Sequence, residues 1–193
     1  MLDTHLIEIG TAQAQRVLTT LGSVKNTVKV FSQLLPDVLI KELVEYCNCV
    51  DWQDAENMQG NVIKHRKKAL FKMDTVTEVV HCIFENVTPI VGHLLNYKDI
   101  KFNGVVLWKD SQGYTVGPHT DNPIFKCSLQ MYIQNLPMLS TVFETENDYN
   151  NNIWTDTMPG SGYIADNANG LTHWMNGIVP QDFNRYSLHA IWS

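Results

Sequence analysis

The pattern of apolar and polar positions changes character near the middle of the chain. Before Asn96 the apolar residues recur at helical spacing. Residues 11–22 carry Ala12, Ala14, Val17 and Leu18 on or near one face, which predicts a helix. Val28–Phe31 reads as a short strand, and Pro36 opens a second helix, where its missing N–H would have no partner anyway. Val38, Leu39, Leu43, Val44 and Cys47 continue that helix until Trp52 and the polar run Gln53–Gly60 end it. Residues 61–73 alternate loosely and predict a strand with charged flanks. Thr75 and Glu78 then form a capping-box pattern. It leads into an apolar stripe that runs from Val76 through Val79, Val80, Ile83, Phe84, Val87 and Val91 to Leu95. A stripe of that length and period predicts a long helix packed along a sheet.

Beyond Asn96, short β-type runs alternate with turn signals. The runs are Gly104–Lys109, Thr115–His119, Lys126–Gln134, Ser140–Glu144, Ser161–Asp166, His173–Asn176 and Arg185–Trp192. Strands at this spacing predict an antiparallel barrel or sandwich of jelly-roll type. Helices precede strands, so the predicted class is α+β, with helices buttressing one sheet. Residues 1–193 read as one domain: about 1–97 form a helical and mixed support, and 98–193 form the strands that carry the chemistry. The polar insertion Glu144–Asp156 reads as a surface loop, a candidate for closing over a site.

Composition narrows the function classes. A net charge of −6 disfavours long-range attraction to nucleic acid or anionic membrane. The basic run Lys64-His65-Arg66-Lys67-Lys68 is a local exception, and such runs are usually solvated faces. No stretch reaches the length of a membrane span, and the first residues lack a signal-peptide pattern. Cys47, Cys49, Cys82 and Cys127 do not make a disulfide framework in a chain this long. A reducing, cytoplasmic location is the expectation. Cys47-Asn48-Cys49 has no second close pair and reads as structural rather than metal-binding.

The candidate chemistry lies in the second half. His119-Thr120-Asp121 places an imidazole and a carboxylate two residues apart, on one side if the backbone is extended. Alone the pair is weak: with 7 histidines and 20 acids, composition gives roughly 0.7 matches to His-x-Asp/Glu by chance. Its context between Gly117-Pro118 and Asn122-Pro123 sets it at the entry to a turn. A third ligand must come from elsewhere. His173, after a turn-rich lead and before Trp174, is the best placed; His189 is second. Two imidazoles and a carboxylate are the donor set of a non-haem Fe(II) site with open positions. Arg185, Ser187 and His189 share one face of the last strand. A buried arginine there needs an anion, either one of the protein's own acids or a ligand carboxylate gripped together with the Ser187 hydroxyl.

His119-Thr-Asp121, His173 and Arg185-Tyr-Ser187 together resemble the signature of Fe(II)/2-oxoglutarate-dependent oxygenases. Four segments resemble its prolyl-4-hydroxylase-like branch: Gly104–Trp108, Tyr114–Pro123, Leu129–Asn135 and Arg185–Trp192. Phe31–Asp37 is similar to its start, so the resemblance covers about residues 28–193. It implies a double-stranded β-helix, a distorted jelly roll, with His119, Asp121 and His173 holding Fe(II). It implies that Arg185 and Ser187 hold the distal carboxylate of 2-oxoglutarate, with Tyr132, Gln130, Ser128 and Trp108 as further co-substrate contacts. Trp108 departs from the tyrosine frequent there, and the presence of Asp121 disfavours the halogenating variants. The implied reaction couples O2 and 2-oxoglutarate to hydroxylation of an unactivated C–H bond. The substrate would be peptidyl (prolyl-type) or a small molecule, with nucleic acid disfavoured. Two alternatives stay open: an Fe(II) oxidase that does not use 2-oxoglutarate, and a non-catalytic cupin-like metal-binding module. Oligomeric state is not legible.

Overall fold

The computed structural model describes residues 3–21, 28–135, 138–145 and 152–193. Helix α1 spans Thr4–Thr20, seven residues further toward the N-terminus than the periodicity predicts. The cause is a cap: the Asp3 carboxylate accepts the Leu6 N–H at 3.1 Å, so the helix nucleates upstream of its apolar face. Strand β1 is Val28–Phe31, as expected. Helix α2 spans Asp37–Cys49 directly after Pro36. The polar run that ends it forms strand β2 (Gln53–Glu56), a hairpin partner of β3 (Val62–Leu70), which sequence pattern alone did not show.

Helix α3 covers Val76–Leu94, with the Thr75 side chain accepting the Thr77 N–H. Glu78 reaches back one residue further than the capping-box pattern implies, and its Oε2 accepts the Asp74 N–H at 2.7 Å. The apolar stripe of α3 packs on α1 as well as on the sheet. Gly10 on α1 makes that approach close enough for a Cβ to collide with the side chains of Ile83 and Leu39.

The remaining strands are β4 (Phe102–Ser111), β5 (Cys127–Tyr132), β6 (Thr141–Phe143), β7 (Ile153–Trp154), β8 (Gly162–Asp166), β9 (His173–Met175) and β10 (Asn184–Trp192). Seven strands make one antiparallel sheet in the order β1-β8-β5-β10-β4-β3-β2, and β7-β6-β9 make a second. Neither closes on itself among the described residues. The class is α+β with a large antiparallel sheet, and the helices lie on one face of it.

Strand alternation divides that sheet chemically. Toward the helices it presents Ala69, Leu107, Leu129, Met131, Ile164, Leu188 and Ala190, all buried with Ile83, Phe84 and Leu43 in one core. At about 25 cal/mol per Å² of apolar surface removed from water, this face is the main stabilising contact of the fold. Trp192 closes the core, and its indole N–H donates to the Thr88 hydroxyl at 2.9 Å. The opposite face of the same strands carries polar side chains and looks toward the small sheet.

Two expectations change here. Thr115–His119 is not a strand. Beyond the His119–His173 bridge the Met175 N–H reaches the Val116 carbonyl at 3.0 Å, so three steps of this segment oppose two of β9, and the extra residue at Gly117-Pro118 interrupts the ladder. The expected loop Glu144–Asp156 lies partly outside the described residues. Of its described part, Ile153–Trp154 forms β7, and Thr155 is buried with its hydroxyl 2.9 Å from the Tyr132 hydroxyl. Cys47, Cys49, Cys82 and Cys127 are all free thiols. Among the described residues, no helix is long and apolar enough to cross a membrane.

Candidate metal and anion site

His119 and His173 are held face to face by their own backbones. The His119 N–H donates to the His173 carbonyl at 3.0 Å, and the His173 N–H returns the bond at 2.8 Å. Their ring centroids are 4.3 Å apart. Each ring is oriented in the same local way. His119 Nδ1 lies 2.9 Å from the Gly117 carbonyl, and His173 Nδ1 lies 3.1 Å from the Leu171 carbonyl. A carbonyl only accepts, so each Nδ1 carries the proton and each Nε2 keeps a free lone pair. Both Nε2 atoms point at the same carboxylate oxygen, Asp121 Oδ1, each at 3.7 Å. One donor atom from each of the three residues lies within 4.8 Å of the others, a spacing that a single metal ion can bridge. Thr120, between His119 and Asp121, faces solvent. His119 and Asp121 thus converge without a regular strand; the break at Gly117-Pro118 and the backbone bonds to β9 on either side of it replace one.

The far side of Asp121 is supported. Ser128 Oγ lies 3.4 Å from Asp121 Oδ2 and donates to Asn167 Oδ1 at 3.0 Å. Asn167 begins the turn that leads to His173. That turn is fixed by Asp166, whose carboxylate accepts N–H groups from Ala168 and Asn169 and the hydroxyl of Tyr97. Ser128 therefore stands behind the candidate metal ligands. The Phe143 ring stacks on His173 at 4.9 Å between centroids.

The triad opens into a cavity of about 150 Å³ between the two sheets. Its walls include Arg66, Trp108, Tyr114, Gln130, Arg185 and His189. Across three neighbouring strands, Arg66, Asp110 and Arg185 sit directly opposite one another. Asp110 is fully buried. Arg66 grips it with two bonds, Nε to Oδ1 at 2.6 Å and Nη2 to Oδ2 at 3.0 Å. Arg185 adds one from Nη1 to Oδ2 at 3.0 Å. Arg66 lies between the rings of Trp108 and Tyr114, 4.8 Å and 4.4 Å from their centroids. Arg185 lies over the ring of Tyr132, whose hydroxyl is fixed by Thr141 and Thr155.

Two buried donors in this region have no partner among the described residues: Arg185 Nε and the Ser187 hydroxyl. Leaving such groups unpaired costs about 1–3 kcal/mol each, more when charged. The sequence left open whether Arg185 meets an internal acid or a ligand. The structure gives its Nη1 an internal acid and leaves its Nε without a hydrogen-bond partner among the described residues. Nothing in the sequence pattern singles out Arg66 or Asp110. Arg66 sits in the basic run taken for a solvated face, and Lys64, His65 and Lys67 of that run are indeed exposed. His65 has a left-handed backbone (φ 64°), a kink in the strand immediately before the inward-facing Arg66.

Electrostatics favour neutral imidazoles. Burial lowers the His173 pKa against the opposing pull of Asp121, and burial pushes His189 down to about 4. In metal-free protein His189 stays neutral when folded but takes up a proton near pH 6.5 when unfolded. Its contribution is fully present above pH 6.5 and falls as the pH drops toward 4. The expected result is a loss of up to about 1.4 kcal/mol of stability per pH unit over that window, with His173 acting in the same direction. Urea denaturation in the presence of a chelator measures it, and His189→Gln should flatten the slope.

No family model matches the sequence, and no curated protein matches it at a significant level. Solved structures do match in fold. A prolyl hydroxylase from Trichoplax adhaerens, in complex with a hypoxia inducible factor oxygen degradation domain peptide fragment, superposes with a TM-score of 0.69 at 12% identity. The match covers 100% of this chain and 94% of that one. A Pseudomonas putida prolyl-4-hydroxylase matches with a TM-score of 0.68 at 11% identity, covering 93% and 97%. HygX from Streptomyces hygroscopicus, with nickel and 2-oxoglutarate bound, matches with a TM-score of 0.67 at 7% identity, covering 92% and 86%.

Proposed function

We propose that this chain, which has the fold of the 2-oxoglutarate-Fe(II) oxygenases, is an Fe(II)- and 2-oxoglutarate-dependent dioxygenase. On this reading its two sheets are the halves of a double-stranded β-helix, and residues 1–193 act as one oxygenase domain. The observation that carries it is the unpaired Nε of Arg185, a residue that lines the cavity the His119–Asp121–His173 triad faces, with the unpaired Ser187 hydroxyl two residues on along the same strand face. Two arginines and one aspartate leave the cluster with one positive charge to spare, which suits one ligand carboxylate.

The donor set fits ferrous iron: two imidazoles whose Nε2 atoms carry free lone pairs and one carboxylate on one side, with the other positions open. Iron bound there would couple reduction of O2 to the oxidative decarboxylation of 2-oxoglutarate, giving succinate, CO2 and a hydroxylated substrate. The chain's own residues bind and orient. His119, Asp121 and His173 hold the metal, and Ser128 steadies the carboxylate. Arg185 and Ser187 hold the distal carboxylate of the co-substrate. Tyr132 keeps Arg185 in place from below, and Trp108 and Gln130 wall the cavity.

The substrate we infer is a peptidyl, prolyl-type side chain. A cavity of about 150 Å³ is smaller than the roughly 300–1,000 Å³ that encloses a drug-sized ligand. With a dicarboxylate inside, little more than one small group of the substrate can enter, as a residue presented on a peptide would.

The test is incubation of the purified chain with Fe(II), O2 and labelled 2-oxoglutarate over a peptide panel. Succinate should form in step with a peptide that gains one oxygen atom. Product without succinate would favour the 2-oxoglutarate-independent oxidase, in which Arg185 and Ser187 would hold a carboxylate of the substrate itself. Metal binding with neither product would favour the non-catalytic module.

A further inference from the structure

We infer that Arg66 and Asp110 form a charge-setting pair that keeps Arg185 available to the co-substrate, so that Arg66 is a positioning residue for a carboxylate it need not touch. The inference rests on the reading of Arg185 as the co-substrate anchor.

Asp110 has two oxygens and two guanidinium neighbours. Arg66 takes the larger share, with a fork of 2.6 Å and 3.0 Å, and is locked in that pose between Trp108 and Tyr114. Asp110 is left with a single bond to Arg185, through Nη1. The Nε edge of Arg185 stays unpaired, with the unpaired Ser187 hydroxyl two residues along the same strand face. Without Arg66, Asp110 and Arg185 would make a closed neutral pair. The carboxylate would be free to rotate onto the Arg185 fork, the geometry guanidinium prefers. The cavity would then lose both its spare positive charge and its open donor edge. Asp110 has the opposite role: it limits two buried cations to one net charge and ties Arg185 down on the side away from the ligand.

Charge arithmetic makes this testable. The wild-type cluster carries +1, Arg66→Gln carries 0, and Arg66→Gln with Asp110→Asn returns to +1 on Arg185 alone. Calorimetric titration of 2-oxoglutarate into protein loaded with redox-inert Zn(II) reads affinity without turnover. Oxalate is the control ligand, because it can chelate the metal but has no distal carboxylate. Arg66→Gln should weaken 2-oxoglutarate binding about ten- to a hundredfold, the worth of a charge-assisted hydrogen bond, and leave oxalate unchanged. The double variant should recover most of the loss, which a merely structural role for Arg66 would not allow. Unchanged 2-oxoglutarate affinity in Arg66→Gln, equal losses for both ligands, or no recovery in the double variant each overturn the inference while leaving the proposed function intact. Wild-type protein that binds oxalate but not 2-oxoglutarate overturns both.

Discussion

Asp121→Ala is expected to abolish tight Fe(II) binding and, with it, all 2-oxoglutarate turnover. Asp121 supplies the only anionic donor of the triad, and both imidazole Nε2 atoms are aimed at its Oδ1. Without it, two imidazoles remain, 4.3 Å apart between centroids. Loss of a supporting contact outside the ligand set typically costs about 10–100-fold in metal affinity, so loss of a ligand should cost more. Ser128→Ala provides the comparison: it removes only a 3.4 Å contact to Oδ2, and a loss of about tenfold is expected. Competition with a calibrated chelator measures both. The carboxylate is partly exposed, so the fold should melt where wild-type apoprotein does. Asp121→Ala protein with wild-type metal affinity would show that these three residues are not the ligands.

The largest stability effect is expected at Asp110. The residue is fully buried and serves two guanidiniums, one of them buried as well. Asp110→Ala leaves Arg66 and Arg185 facing each other with no internal anion. Removing one member of a buried charge cluster costs about 3–5 kcal/mol. The low end is expected, because the Arg66 side chain keeps 17% exposure and water can reach it. Urea denaturation of metal-free protein gives the number. A loss below about 1 kcal/mol would mean that the cluster is solvated like a surface pair.

The two predictions bear on parts of the site that differ in how visible they are in the sequence. His119, Asp121, His173, Arg185 and Ser187 announce themselves by type and spacing, because metal and carboxylate recognition admit few residue types. The last strand, which carries the candidate anion site, was equally visible. β10 alternates Arg185, Ser187 and His189 with Tyr186, Leu188 and Ala190, and that alternation alone separates a polar face from a core face. Helix α3 was visible from its period and its cap. Elements with weak local signals were not: β2 is four mostly exposed residues, and β7 is two. The strand expected at Thr115–His119 failed because an extra residue at Gly117-Pro118 breaks the register with β9, and residue-type preference carries no information on register.

The sequence by itself determined which donors exist and which side of each strand they occupy, since both follow from residue identity and a two-residue period. Only the tertiary structure decided which donors meet. Arg66 lies 44 residues before Asp110, and Arg185 lies 75 after it. Their alignment is a matter of strand register. Register is fixed by how Leu107, Leu129, Met131 and Leu188 pack against the helices, a non-local balance of burial in which no short stretch of chain holds a deciding share.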